Sequence, residues 1–98
     1  MIEPFGLNPV IHAQGRLRVV TALSTLGRED SISFTRLQSL LGMTSGNLAG
    51  HLRRLEDARF VTVLKTFVGR QPATYVGMTE TGRIAFDLYK QSLRSLLD

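Results

Sequence analysis

Apolar residues spaced as on one face of a helix run from Val10 to Leu26, with polar residues between them. Asn8 and Pro9 are typical of a helix start, and the apolar stripe that follows them ends at Gly27. Gly15 can divide this segment into a short helix and a longer one, and 31–33 is compatible with a brief strand. The stripe consists of Val10, Ile11, Leu17, Val20, Leu23 and Leu26.

Two short helices are predicted next, separated by a tight turn. Apolar residues at helical spacing run from Phe34 to Leu41, and Gly42 supplies the left-handed residue at which such a helix ends. Thr44 is suited to cap a second helix. That helix has one narrow apolar face, formed by Leu48, Leu52 and Leu55.

A hairpin and a last helix complete the chain. The segment 60–68 is rich in β-branched and aromatic residues and predicts a strand, 69–73 a turn, and 74–78 the returning strand. Thr79 is expected to cap the final helix. The predicted fold is α+β and mostly helical: a helix-turn-helix at about 34–59, a two-stranded wing at about 60–78 and a long C-terminal helix at about 80–97.

Length and composition limit the class of protein. The 98 residues are 43% hydrophobic and 20% charged, which is typical of one folded domain, here 1–98. Without cysteine, disulfides and thiolate metal sites are excluded. No apolar run reaches the roughly 18–20 residues of a membrane span. Met1–Pro4 lack the features of a secretory signal, so a cytoplasmic protein is expected.

The net charge of +4 is concentrated in one part of the sequence. Residues 36–70 contain six basic and two acidic residues, whereas the remainder is balanced. A local basic field attracts polyanions, because each neutralised phosphate releases counterions. A merely solvated arginine-rich surface is the alternative reading.

The second helix of the helix-turn-helix presents polar, small and cationic residues on its non-leucine sides. Such a surface suits phosphates and base edges, and Gly46 and Gly50 would allow a ligand to approach the backbone closely. Packing of these glycines against a neighbouring helix is the competing explanation. With the two cations of the hairpin, the candidate DNA-binding residues are Thr44, Ser45, Gly46, Asn47, Gly50, His51, Arg53, Arg54, Lys65 and Arg70.

Several segments together resemble the small winged-helix transcriptional regulators related to the MarR and ArsR groups. The likeness extends from residue 7 to about 90 and implies a homodimer that binds operator double-stranded DNA and usually represses transcription. The segments that resemble the family are Leu7–His12, Arg16–Val20, Thr44–Glu56, Phe67–Tyr75 and Met78–Arg83.

The last helix is apolar on two faces, which predicts that one face meets a second subunit. Ile84 and Leu88 are expected to pack on the core of their own subunit. Complete packing of the helix on its own domain is the alternative. By analogy with the family, Ile11 and His12 join the interface, whose other candidates are Phe86, Tyr89, Leu93, Leu96 and Leu97.

Catalysis, cofactors and metals are not expected. His12 and His51 are the only histidines, and neither has a neighbouring carboxylate pair or a phosphate-binding glycine loop. An effector of unknown identity would have to bind between subunits. The alternative function is a winged-helix protein-interaction module without specific DNA binding, because fold does not determine function.

Overall fold

The computed structural model describes residues 6–98, which form four helices and a three-stranded antiparallel sheet. This arrangement confirms the predicted α+β winged helix-turn-helix with a hairpin wing. Met1–Pro4, considered above for a secretory signal, lie outside the described residues. The elements are α1 (Gln14–Ser24), β1 (Ser31–Ser33), α2 (Phe34–Leu41), α3 (Ser45–Asp57), β2 (Val61–Val68), β3 (Gln71–Met78) and α4 (Glu80–Leu97).

The segment before α1 is a hydrogen-bonded turn, not the short helix that the sequence suggested. The Asn8 side chain accepts bonds from the backbone N–H groups of Val10 and Ile11, at 2.9 and 3.4 Å. Ala13 then adopts an extended conformation, so the first regular helix begins only at Gln14. Gly15 therefore lies inside the first turn of α1 and does not separate two helices.

Local hydrogen bonds define the helix-turn-helix. Ser33 caps α2 by accepting a bond from the Arg36 N–H, at 3.2 Å. Gly42 ends α2 in the left-handed region with φ of 65°, where a residue without Cβ is least strained. Thr44 accepts a bond from the Asn47 N–H at 3.1 Å and starts α3, as predicted.

The wing is a longer hairpin than the sequence suggested. β2 and β3 pair from Val61 with Met78 to Val68 with Gln71, so the turn contains only Gly69 and Arg70. Gly69 has a φ of 61°, which is typical of the first residue in a type II′ hairpin turn. β3 is the central strand, because β1 pairs with its last residues, 75–77.

The core lies where the helices meet the sheet. The three leucines of α3 are buried, at 0, 3 and 0% exposure, and each fully buried leucine contributes about 2 kcal/mol through the hydrophobic effect. The buried core consists of Leu7, Ile11, Val19, Val20, Leu23, Leu37, Leu41, Leu48, Leu52, Leu55, Phe60, Val61, Val76, Met78, Phe86 and Tyr89.

On α4, the apolar face expected to meet a second subunit is buried against its own chain, and the face expected to be buried is exposed. Phe86 and Tyr89 are buried by their own chain, with 6 and 2% exposure, whereas Ile84 and Leu88 are 54 and 57% exposed. The prediction that Ile84 and Leu88 pack inwards is therefore wrong. The face with Phe86 is selected because Gly82, which shares it, lies directly on the backbone of Phe60.

The segment before α1 covers part of the same face of α4. Ile11 is completely buried, so it offers a partner no surface in this conformation, contrary to its proposed interface role. His12 remains exposed, and its Nδ1 lies 2.9 Å from the Tyr89 hydroxyl. Burial raises the pKa of that hydroxyl above its usual value.

Candidate nucleic-acid interface

The face of α3 opposite its three leucines is exposed and carries no acidic residue until Glu56. The burial of the leucines on one side leaves the other sides free along the first three turns. The exposed residues on these sides are Ser45, Gly46, Asn47, Ala49, Gly50, Arg53 and Arg54. The structure therefore brings most of the predicted DNA-binding residues of this helix onto one surface.

The two glycines of this surface have open space above them. A Cβ built on Gly46 or Gly50 would have no heavy atom within 4 Å outside the local backbone. The described chain therefore does not use them for helix packing, which was the competing explanation. Each lowers helix stability by roughly 1 kcal/mol relative to alanine, and no packing contact in the described residues offsets this loss.

At the start of α3, Thr44 has a structural role, whereas the side chain of Asn47 is exposed to solvent. The Thr44 hydroxyl is the N-cap acceptor, and Asn47 contributes its backbone N–H to that bond. The Asn47 side chain takes no part in this cap. Its exposed amide can both donate and accept hydrogen bonds, which is the chemistry needed to contact a base edge.

His51 lies at the edge of the surface and not within it. The ring is half-buried and packs on Gly15, where an added Cβ would overlap Nε2 and lie 2.9 Å from Cδ2. This contact joins α3 to α1, a role that the sequence did not reveal. The ring also lines a shallow cavity of about 330 Å³ together with Thr44 and Asn47.

The wing stands beside α3 and contributes to the same surface. A groove of about 260 Å³ separates the two, with Arg53 on the side of α3 and Lys65 and Thr74 on the side of the wing. Arg70 occupies the two-residue turn at the far end of the hairpin and is exposed. The structure thus brings Lys65 and Arg53 to one groove and places Arg70 at the tip of the wing.

Within residues 6–98, the cations of 36–70 form no ion pair. In the described residues, the ion pairs are Arg28 with Glu80 at 3.0 Å and Lys90 with Asp87 at 3.3 Å, both outside this segment. Several other arginines hold the fold: Arg18 donates to the Leu41 carbonyl, and Arg83 donates to two carbonyls after α1. The net positive charge that the sequence concentrates in 36–70 is therefore not reduced by ion pairs among the described residues.

Sequence reasoning missed an apolar feature of the wing. Phe67 is 68% exposed and pairs across the hairpin with Pro72, close to Arg70. The strand alternation contained the signal, because Phe67 has the same parity as Lys65 and Val63.

Residues 6–98 contain neither a candidate metal site nor a membrane-spanning helix. No group of three or more potential metal ligands occurs among them. None of the helices in this range has the length and hydropathy required to cross a bilayer.

Comparison with known proteins gives consistent matches. Residues 16–97 match the winged helix DNA-binding domain family. An uncharacterized protein of Methanocaldococcus jannaschii is 34% identical over 70 residues, covering 71% of this chain and 76% of the relative. The structure of a transcriptional regulator homologue from Pyrococcus horikoshii OT3 matches with a TM-score of 0.81 and 28% identity, covering 91% of this chain and 85% of the other.

A more distant structure shares the fold. The heme sensor protein PefR from Streptococcus agalactiae matches with a TM-score of 0.71 at 17% identity, covering 90% of this chain and 59% of PefR. The resemblance to small winged-helix regulators is thereby confirmed, and these regulators are not enzymes. With the match of residues 16–97 and the surface described above, the chain belongs to the winged helix DNA-binding domain family.

Proposed function

We propose that this DNA-binding regulator acts as a sequence-specific repressor. In this proposal it works as a homodimer, with α3 in the major groove and the wing on the flanking backbone or minor groove. The observation that carries the proposal is the acid-free exposed face of α3, with open space above Gly46 and Gly50. A repressor of this kind acts by occupying an operator that the transcription machinery requires.

The dimensions of α3 suit the major groove. Its 13 residues span about 20 Å, and the groove is about 12 Å wide and admits one helix. Two glycines on the outer face let the helix axis approach the base edges more closely than a helix with side chains there. Ser45 and Asn47, in the first turn, are the residues we assign to base edges, with His51 at the margin of the contact.

The cations are assigned to the phosphate backbone. Arg53 and Arg54 flank the glycine surface, Lys65 lines the groove beside it, and Arg70 lies at the tip of the wing. None of these four takes part in an ion pair within the described residues. Each phosphate that they neutralise releases condensed counterions, so the binding constant is expected to fall steeply with salt.

Dimerisation is assigned to the end of α4. Residues 94–98 are all exposed. Leu96 and Leu97 lie on the same face of the helix as Phe86 and Tyr89, which are buried nearer its N-terminus. Leu93 is half-buried and His12 exposed at the same end of the molecule. A two-fold dimer would present two α3 helices to half-sites about 34–36 Å apart. The cavity between two such subunits is where an effector would bind.

The test is salt-dependent binding to a duplex selected from genomic fragments by the purified protein. We expect Arg53→Ala and Arg54→Ala to weaken binding to every duplex, and to reduce the slope of log K against log salt by about one each. Arg28→Ala is the matched control, because Arg28 is exposed and paired with Glu80 outside the basic segment.

Two results would contradict the proposal. Selection could recover no duplex, with retention of the protein on heparin independent of salt. Alternatively, Arg53→Ala and Arg54→Ala could both keep the wild-type slope. Either result, together with capture of a protein partner, would favour the interaction module that the sequence left open.

A further inference from the structure

The tip of the wing carries an exposed apolar pair among cations. Phe67 and Pro72 lie opposite each other on β2 and β3, one pair before the residues that flank the turn. Phe67 is 68% exposed and Pro72 is also exposed. Burying an apolar side chain of this size is favourable, so the pair is a contact surface that the described residues leave uncovered.

The strand register shows which way the pair faces. Side chains alternate between the two faces of a sheet, so Val63, Lys65 and Phe67 share one face of β2. Lys65 pairs with Thr74, and both line the groove against α3. Phe67 and Pro72 are the next pair outwards on the same face and therefore lie on the side of the wing that faces α3. Val68 belongs to the opposite face.

The charges around this pair indicate its partner. Arg53, Lys65 and Glu56 line the groove on one side of it, and Arg70 lies in the turn on the other, so three cations and one carboxylate lie around the pair. No acidic residue occurs between Asp57 and Glu80. A second copy of the same wing would bring like charges together, whereas a duplex combines a polyanionic rim with a stack of bases that accepts an apolar side chain.

We propose that Phe67, supported by Pro72, is a wedge that enters the minor groove beside the site read by α3 and bends the duplex. Phenylalanine and proline are both side chains that partly unstack a base step in this way. The proposal rests on the proposed DNA-binding function and adds a deformation of the DNA to it. It also predicts a preference for flexible steps such as TA and CA at the wedge position, without any hydrogen bond to the bases.

The test measures bending and affinity on one duplex. A duplex of about 30 bp, selected by the wild-type protein from a random pool, carries a donor and an acceptor dye at its two ends. We expect the wild type to bend it by roughly 20–90°. Phe67→Ala should abolish most of the bend and weaken binding about tenfold, whereas Phe67→Leu, which keeps an apolar wedge, should retain both.

Val68→Ala is the matched control, because Val68 is 59% exposed on the opposite face of the same strand. It should bend the duplex as the wild type does. Both substitutions change exposed side chains, so thermal unfolding should be unchanged in each.

Different outcomes overturn different claims. If the wild type binds its selected duplex but Phe67→Ala bends it equally, the wedge is overturned and the proposed function stands. If Phe67→Ala dissociates the protein in sedimentation while bending persists, the pair joins two copies and the wedge is again overturned. If the wild type binds no duplex, the wedge falls together with the proposed function.

Discussion

Glycine has two opposite uses in this chain, and the surroundings of each residue distinguish them. At Gly82 an added Cβ would overlap the Phe60 carbonyl oxygen and lie 2.9 Å from its carbon, so the missing side chain allows α4 to pack on the backbone of Phe60, the residue just before β2. At Gly46 and Gly50 there is open space. A helical glycine with no neighbour stabilises nothing in the isolated chain, so its use is expected in a complex.

We predict that Gly46→Ala and Gly50→Ala stabilise the protein and weaken its binding to DNA. Each removes a helix penalty of up to about 1 kcal/mol, which corresponds to a rise of about 4–8 °C in Tm for a domain of this size. Each also adds a methyl group where α3 is proposed to approach the bases. Thermal unfolding and fluorescence anisotropy on the selected duplex measure the two effects.

Gly82→Ala is the contrasting variant. It forces a methyl group against a backbone carbonyl that cannot rotate away, so we expect a loss of about 3 kcal/mol in the free energy of unfolding. If Gly46→Ala destabilised the protein as Gly82→Ala does, the space above Gly46 would not be open. If it stabilised the protein and left DNA affinity unchanged, close approach at that position would be refuted.

At the scale of the element, two polar residues at the start of α3 have different roles. Thr44 satisfies a backbone N–H that the helix start leaves without a partner, and the Asn47 side chain remains exposed. The stability of α3 and its proposed recognition of DNA can therefore be tested separately, with one substitution for each. This separation makes each residue a control for the other.

We predict that Asn47→Ala flattens sequence preference and leaves stability nearly unchanged. Loss of a bidentate contact to a base reduces discrimination by about 1–3 kcal/mol, while nonspecific affinity from the arginines persists. Competition between the selected duplex and a scrambled one measures this difference.

Thr44→Ala should act in the opposite sense, because loss of an N-cap lowers the free energy of unfolding by about 1 kcal/mol. An Asn47→Ala protein with lower thermal stability and unchanged preference would show that its side chain supports the helix and does not read DNA.

At the scale of the whole molecule, α4 packs on its own chain and also carries the surface that we assign to dimerisation. Its start is held by Phe60 and its middle by the segment before α1, through His12 and Tyr89, while its last turn extends into solvent with Leu96 39% and Leu97 75% exposed. A chain of 98 residues buries only about two-thirds of its unfolded surface, so a second subunit would add stability. The apolar end of α4 is the surface we assign to it.

We predict that replacing Leu96 and Leu97 together by serine weakens the dimer by about three orders of magnitude in Kd. The two-fold interface would lose four leucine side chains, each worth at least about 1 kcal/mol when buried between subunits. Sedimentation over a range of micromolar concentrations measures the dissociation, and DNA affinity should fall in parallel.

Ile84→Ser with Leu88→Ser is the control, because these two side chains lie on the opposite face of α4 and are similarly exposed. If this variant dissociated and the Leu96 and Leu97 variant did not, the interface would lie on the other face. A wild-type protein that sediments at 10.9 kDa would contradict the dimer altogether.

The amino-acid sequence by itself determined the order and nature of the elements and the caps at Thr44 and Thr79. These features follow from interactions within about four residues, such as side-chain capping and helical periodicity, and both can be read along the chain. The separation of charge could also be predicted, because it needs only the positions of the ionisable residues.

The tertiary structure decided what depends on residues far apart in sequence. Periodicity could not choose between the two faces of α4, since both are apolar, and contact of Gly82 with Phe60 made the choice. His51 could not be assigned to Gly15 from spacing alone, nor His12 to Tyr89, which is 77 residues away. The hairpin extended beyond its predicted strands, because pairing with β2 held Pro72 in the sheet. Only the folded chain brings these groups within contact distance.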